Sequence, residues 1–124
     1  MAINAKDLLE KKGLIEDRQN QKVIVETPLG DFTFKVPTID ILTDAKTYEN
    51  AHKDRDNQYC IYTCCLEPDL KDQDLQREFN KGKEPVDIVD TIFLPGEVAS
   101  IANILIEKAG YESKSIKAVE GVKN

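Results

Sequence analysis

The clearest pattern of apolar and polar positions lies near the end of the chain, over Glu97–Ala109. Its large apolar residues recur at spacings of three and four and form one stripe: Val98, Ile101, Ile104 and Leu105. A stripe of this width is typical of a helix that packs on a core. Pro95 stands where a first helical turn tolerates proline, and Gly110 can close the last turn. The pattern therefore predicts a core helix here.

Three further helices are predicted in the middle of the chain: Gln58–Leu66, Gln73–Phe79 and Val86–Phe93. Pro68 disfavours helical geometry at the residue before it, so the first helix ends by then. Asp72 can accept the free backbone N–H groups of the second helix as its N-cap. Pro85 opens the third.

The N-terminal half combines short helices with a hairpin. Asn4 can cap a helix over Ala5–Lys12, with Leu8 and Leu9 as its apolar face and Gly13 as its end. The β-branched run Lys22–Glu26 and the alternating run Phe32–Val36 flank a segment with Pro and Gly, which predicts a β-hairpin. Its buried face would carry Phe32, Phe34 and Val36.

A short helix follows the hairpin, because Ile39, Leu42 and Ala45 share one side at helical spacing. The polar segment 46–57 reads equally as a continuation of this helix or as a loop. The whole pattern predicts a mainly α fold with a small N-terminal β-hairpin at about 22–36, an α+β class. We expect one compact domain of about five helices over 1–111, followed by a polar, mobile tail over 112–124.

Charge narrows the functional classes. Charged residues make up 32% of the 124 positions and the net charge is −6. Non-specific binding to nucleic acid or to an anionic membrane needs a basic patch, so neither is expected. The apolar runs are too short to span a bilayer, and the first residues lack a signal-peptide pattern. A cytoplasmic protein is the expectation.

The three cysteines, Cys60, Cys64 and Cys65, are too clustered to predict a disulfide framework. Cys60 and Cys64 lie one helical turn apart, but a structural zinc site needs a second pair of ligands, and His52 is the one histidine. A Cys–His nucleophile would need a fixed base, whereas His52 lies in a polar segment. Buried, reduced thiols are the favoured interpretation.

The acidic residues offer little more chemistry. Asp54-x-Asp56-x-Gln58 begins like a calcium loop but lacks the glycine and the final acid. The cluster of Glu67, Asp69, Asp72 and Asp74 has the spacing of helix caps and solvated side chains. No glycine-rich phosphate loop is present in the sequence. We therefore expect no catalytic residue, cofactor or metal, and no enzyme activity.

One stretch resembles a known family. The features are EPDLKDQDLQ (Glu67–Gln76), the run from Pro85 to Glu97 that ends in FLPGE, the apolar helix after it and the Gly110-Tyr111 ending. They are similar to the XkdN-like tail assembly chaperones of phages and defective prophages of Gram-positive bacteria. The resemblance implies a non-catalytic protein that keeps the tape-measure protein soluble and helps tail-tube subunits assemble around it. It also implies location in the host cytoplasm and absence from the mature virion.

The corner at FLPGE and the tail are the expected contact region for a partner. The residues are Phe93, Leu94, Glu97, Tyr111, Lys114 and Lys117. The same corner also has a purely structural interpretation, as a turn between two helices. Two other functions stay open at this point: a small structural component of the tail, and a general cytosolic adaptor.

Overall fold

The computed structural model describes residues 2–111 and 116–119. This part of the chain contains seven α-helices and one three-stranded antiparallel sheet, so the α+β class is confirmed while the expected number of helices was too low. The helices are α1 (Ala5–Glu10), α2 (Lys12–Gln19), α3 (Ile39–Ala51), α4 (Asp56–Cys64), α5 (Gln73–Phe79), α6 (Ile88–Ile92) and α7 (Pro95–Lys108). The strands are β1 (Lys22–Thr27), β2 (Gly30–Lys35) and β3 (Cys65–Glu67).

The N-terminal helix is longer and more broken than its sequence predicted. Asn4 starts α1 through a reciprocal capping box: its Oδ1 accepts from the Asp7 N–H at 2.9 Å, and the Asp7 carboxylate accepts from the Asn4 N–H at 3.1 Å. Lys11 leaves helical geometry, and α2 begins directly after it. Gly13 lies inside α2, so its prediction as the helix end was wrong. No residue of α1 or α2 is buried.

The predicted hairpin is confirmed, with β1 and β2 joined by the two residues Pro28 and Leu29. Val25 pairs with Phe32, and both face the core. Gly30 has φ +129°, a conformation that favours glycine. The Thr27 hydroxyl accepts from the Leu29 N–H at 3.1 Å and donates to the Gly30 carbonyl at 2.7 Å, which fixes the turn.

A third strand, β3, was not predicted, and it extends the sheet beyond the N-terminal hairpin. The helix predicted over Gln58–Leu66 is shifted, since α4 ends at Cys64 and Cys65 adopts extended geometry. Cys65 pairs with Phe34, and the strand order is β1-β2-β3. Leu66 therefore does not continue the apolar face of a helix and is 38% exposed. Pairing with a strand some thirty residues earlier outweighs the local helical pattern here.

The remaining helices match their predictions more closely. Helix α3 continues to Ala51, which makes the undecided segment helical as far as that residue. Asp72 caps α5 as predicted: its Oδ1 accepts from the N–H groups of Asp74 at 2.9 Å and Leu75 at 3.1 Å. A 3₁₀ turn over Pro85–Asp87 leads into α6, so the helix predicted there divides in two and stops before Phe93.

The core forms one cluster between the sheet and the helices α3, α4, α6 and α7. Its fully buried side chains include Phe34, Ile61, Leu70, Ile88 and Leu105. Three members of the predicted α7 stripe are buried, and Ile104 is partly buried. Within the described residues no single helix is long and apolar enough to span a membrane. Pro85–Ile92 and Pro95–Lys108 meet that test only as a pair, across a bend of 112°.

Candidate functional site

The corner between α6 and α7 turns one apolar side chain inward and the next outward. Phe93 is 2% exposed, and its ring packs against Phe32 with the centroids 5.0 Å apart. Leu94 is 68% exposed. The Leu94 N–H donates to Glu97 Oε1 at 2.9 Å, which caps the start of α7. Leu94 is thus held at the surface by backbone geometry.

Leu94 forms one end of an open groove of about 380 Å³ between the hairpin tip and the first turns of α7. The groove is mainly apolar. Its apolar walls are formed by Val25, Pro28, Leu94, Ile101 and Ile104. We call this the hairpin–α7 groove.

The charge of the hairpin–α7 groove is negative. Glu26 and Glu97 line it, together with the hydroxyls of Thr27 and Ser100. None of the described residues that line it is basic. An apolar floor with two carboxylates favours a ligand that presents apolar side chains and a positive charge.

Of the other predicted contact residues, the described ones, Phe93, Tyr111 and Lys117, are not among the residues that line this groove. Tyr111 follows the C-terminal end of α7 and lines a smaller cavity of about 230 Å³ with residues of α3, α4 and α7. Lys117 is exposed, and Lys114 lies outside the described residues. Leu94 and Glu97 are the two that the structure brings together at a groove.

Sequence reasoning missed the hairpin side of the groove. The alternation along β1 does place Val25 on the same face as Phe32, which was a usable signal. The closeness of Pro28 to α7 had no such signal, because it depends on how the hairpin packs on the last helix.

The N-terminal arm, defined as α1 and α2, carries a second apolar surface. Leu9 is 77% exposed, Leu8 52% and Ile15 38%, around an open depression of about 480 Å³. These leucines were predicted as the packed face of a helix. The described part of the chain places no core residue against them.

A polar cluster joins the start of α4 to the 3₁₀ turn and α6. Arg55 forms ion pairs with Asp87 and Asp90, each with an N–O distance of 2.5 Å. Asp87 also accepts the backbone N–H groups of Lys83 and Glu84 at 3.0 Å. Burial and the nearby carboxylates of Asp87 and Glu84 raise the pKa of Tyr48, which keeps its hydroxyl neutral. The two ion pairs of Arg55 hold the start of α4 against the 3₁₀ turn and α6.

His52 belongs to the edge of this cluster. Its ring stacks on Tyr48 with centroids 4.0 Å apart, and its Nε2 lies 3.7 Å from a Glu84 oxygen. The cysteines lie elsewhere, in the core. Among the described residues, no group of three His, Cys, Asp or Glu side chains is placed to hold a metal ion.

The three thiols are free and buried, as the sequence predicted. Burial, the largest cause, raises the pKa of Cys60 to about 11 and that of Cys64 and Cys65 to about 12. The Cys65 thiol donates to the Pro68 carbonyl at 3.1 Å. A thiol in this state is a poor nucleophile, since the thiolate is the reactive form.

Comparisons with known proteins agree with this architecture. A family model described as phage XkdN-like tail assembly chaperone protein matches residues 6–123. A crystal structure of the protein YqbN has a similar fold, with a TM-score of 0.59 and 22% sequence identity over 76% of this chain and 88% of that one. No curated protein matches the chain.

Proposed function

Because the chain belongs to the XkdN-like family of phage tail assembly chaperones, we propose that it binds the tape-measure protein and helps tail-tube subunits assemble around it. The proposed role is non-catalytic. The observation that supports it most is the hairpin–α7 groove, an apolar surface left open beside the exposed Leu94. A chaperone of assembly needs such a surface to cover apolar side chains that a subunit will later bury against its neighbours.

The strength of the interaction follows from the size of the groove. Fully burying a leucine side chain contributes about 1.5–3 kcal/mol, so Leu94 and two or three apolar partner residues give useful but modest affinity. Protein–protein interfaces of this size are among the weak and transient ones. A client held in this way can be handed to the growing tail, and the chaperone then stays in the host cytoplasm and is absent from the mature virion.

The net charge of −6 supports the same role. A chaperone in excess over its client must keep the complex apart from other copies, and like charge on many copies opposes their association. Covering the apolar segments of the client with an acidic protein therefore keeps the client in solution.

The experiment is an affinity pull-down from cells in which the phage or prophage is induced, with mass spectrometry of the captured chains. We expect the tape-measure protein or the tail-tube protein to dominate the eluate. Leu94→Asp should reduce capture strongly. The matched control is Ile39→Asp, which changes a side chain of similar exposure, 70%, outside the groove, at the first position of α3 where an acid is favoured.

The composition of purified mature particles separates the alternatives. Absence of the chain from them supports the chaperone function, whereas stoichiometric presence makes it a structural tail component. Capture of host proteins alone makes it a cytosolic adaptor and refutes the proposed partners.

The segment after Gly110 is part of the proposal as well. Tyr111, Lys114 and Lys117 are proposed to add contacts to the client at the other end of α7. Deletion of Glu112–Asn124 should leave the fold intact by circular dichroism and weaken the capture of the client. Capture at the level of the full chain would remove this segment from the binding surface.

A further inference from the structure

One wall of the hairpin–α7 groove is the edge of a β-strand. Val25 and Glu26 are neighbours in β1, and their side chains point to opposite faces of the sheet, since one is buried and the other exposed. Both nevertheless line the groove. A cavity on a single face of the sheet would contact only every second residue. The groove therefore runs along the strand edge.

The backbone at this edge has unused hydrogen-bonding capacity. Strand β1 is the outer strand of the sheet and pairs with β2 alone. Among the described residues, no other backbone hydrogen bond reaches Lys22–Thr27. Alternate N–H and C=O groups of an edge strand point away from the sheet and are free to pair with another chain.

The opposite wall is the apolar side of α7, formed by Leu94, Ile101 and Ile104. A strand edge that faces an apolar helix across a groove is the arrangement that binds an extended peptide by strand addition. The strand edge supplies backbone hydrogen bonds, and the helix supplies contacts for alternate side chains. A helical ligand would satisfy its own backbone groups and leave those of β1 unpaired.

We propose that the hairpin–α7 groove binds an extended segment of the client as a fourth strand along β1. This inference rests on the proposed function and specifies its binding mode. The segment spans about four to six residues, because β1 has six residues and a strand rises about 3.3 Å per residue. Its apolar side chains alternate toward α7, and at least one lysine or arginine pairs with Glu26 or Glu97.

The test uses overlapping twelve-residue peptides that tile the tape-measure protein, with binding to the full chain measured by fluorescence anisotropy. We expect the binding peptides to share alternating apolar residues and a basic residue. Each binding peptide is then resynthesised with N-methyl groups at alternate positions, in two registers. Only amides that face β1 donate across the edge, so one register should weaken binding about tenfold or more and the other should have little effect.

A double variant tests whether the two carboxylates of the groove contribute to peptide binding. Glu26→Gln with Glu97→Gln removes both carboxylates, and the glutamine at 97 still accepts the capping hydrogen bond from Leu94. We expect about fivefold weaker binding and a smaller dependence on salt, with unchanged thermal unfolding. The β1 amides that point away from β2, which alternate along Lys22–Thr27, should also become protected from hydrogen exchange when peptide is added.

The outcomes separate the binding mode from the function. Equal effects of the two N-methyl registers, or a helical bound peptide, overturn strand addition while capture of the tape-measure protein upholds the function. Protection of the β1 amides that depends on protein concentration, without peptide, assigns the edge to a second copy and also overturns the proposal. Protection without peptide that does not depend on protein concentration, and that is lost in a chain without residues 112–124, assigns the edge to the chain's own C-terminal segment and likewise overturns the proposal. Failure to capture any tail protein refutes the proposed function itself.

Discussion

The two helices of the N-terminal arm contain 6 and 8 residues, the same total as the 14 of α7, and each region begins with a side-chain hydrogen bond to its N-cap backbone. In the arm, Asn4 and Asp7 each accept a hydrogen bond from the other's backbone N–H, whereas at α7 Glu97 accepts one from the Leu94 N–H. Their burial differs completely. The arm has no buried residue, whereas α7 buries four, among them Leu105 with no exposed surface.

This difference shows that capping and packing contribute separately to a helix. A cap determines where a helix begins, whereas packing of an apolar face determines how firmly the helix is held. We therefore expect the arm to open locally at a small free-energy cost and α7 to open only with the whole fold. Four measurements would sharpen or break the comparison.

The largest expected effect on stability comes from comparing a leucine truncation in α7 with one in the N-terminal arm. Leu105→Ala removes a fully buried side chain from α7 and should lower the free energy of unfolding by about 2–5 kcal/mol. Leu9→Ala, at a side chain that is 77% exposed in the arm, should change it by less than about 0.5 kcal/mol. Urea denaturation followed by far-ultraviolet circular dichroism measures both. Equal losses would show that the arm is packed in solution.

The next effect concerns ion pairs. Asp87→Ala removes one of the two carboxylate partners of Arg55 and the acceptor of two backbone N–H groups, and should lower the free energy of unfolding by about 1–3 kcal/mol. Asp74→Asn removes the exposed pair with Arg77, whose atoms are 3.2 Å apart, and should cost less than about 0.5 kcal/mol. A double-mutant cycle with Arg55→Ala measures the coupling at Asp87. Zero coupling would contradict the link between the start of α4 and the 3₁₀ turn.

Alkaline pH should weaken the packed part of the chain and leave the arm unaffected. The unfolded thiols ionise near pH 9, while Cys60, Cys64 and Cys65 in the fold have pKa values of about 11 to 12. Above pH 9 the unfolded state therefore binds fewer protons, and the free energy of unfolding falls as pH rises toward 11. The loss is on the order of 1 kcal/mol per thiol for each pH unit.

Urea midpoints measured at pH 8, 9 and 10 test this expectation. Cys60→Ala is the control, because it should make the dependence on pH shallower by the share of one thiol. An unchanged slope would mean that other groups cause the loss of stability.

The smallest effect is expected in the arm itself. Gly13 lies within α2, and open space surrounds the position where a Cβ would be added. Gly13→Ala should therefore stabilise the arm helix by about 0.5–1 kcal/mol and leave the global unfolding midpoint nearly unchanged. Hydrogen exchange of the arm amides measures the local effect. A shift of the global midpoint by the same amount would mean that arm and core unfold together.

The elements that the sequence predicts well are those whose signal is local. Each of these signals lies within a short segment of the sequence. They are the apolar stripe on α7, the Asp72 cap, and the alternation that places Phe32 and Phe34 inward. Strand β3 has no such signal. Its pairing between Cys65 and Phe34 joins residues far apart in the chain, and the residues before Cys65 favour a helix.

The candidate site was predictable only in part for the same reason. The corner was identified from the sequence FLPGE. The sequence does not distinguish which of its two neighbouring apolar residues, Phe93 or Leu94, is buried. The backbone at the end of α6 sends Phe93 into the core and Leu94 outward, and only the structure separates them. Likewise, Leu9 and Leu105 are the same residue type on a helix, and their different burial depends on which other elements lie nearby.

The position of α7 in the core also has a consequence for synthesis on the ribosome. Translation proceeds from the N-terminus, but the hairpin residues contact partners that are synthesised later. Phe32 packs against Phe93, and Phe34 pairs with Cys65. Helix α7, which completes the core, follows residue 94. A nascent chain that has exposed only its hairpin can form few of its lasting contacts, since a lone hairpin is marginal in water. Folding of the core is thus delayed until Pro95–Lys108 has left the exit tunnel.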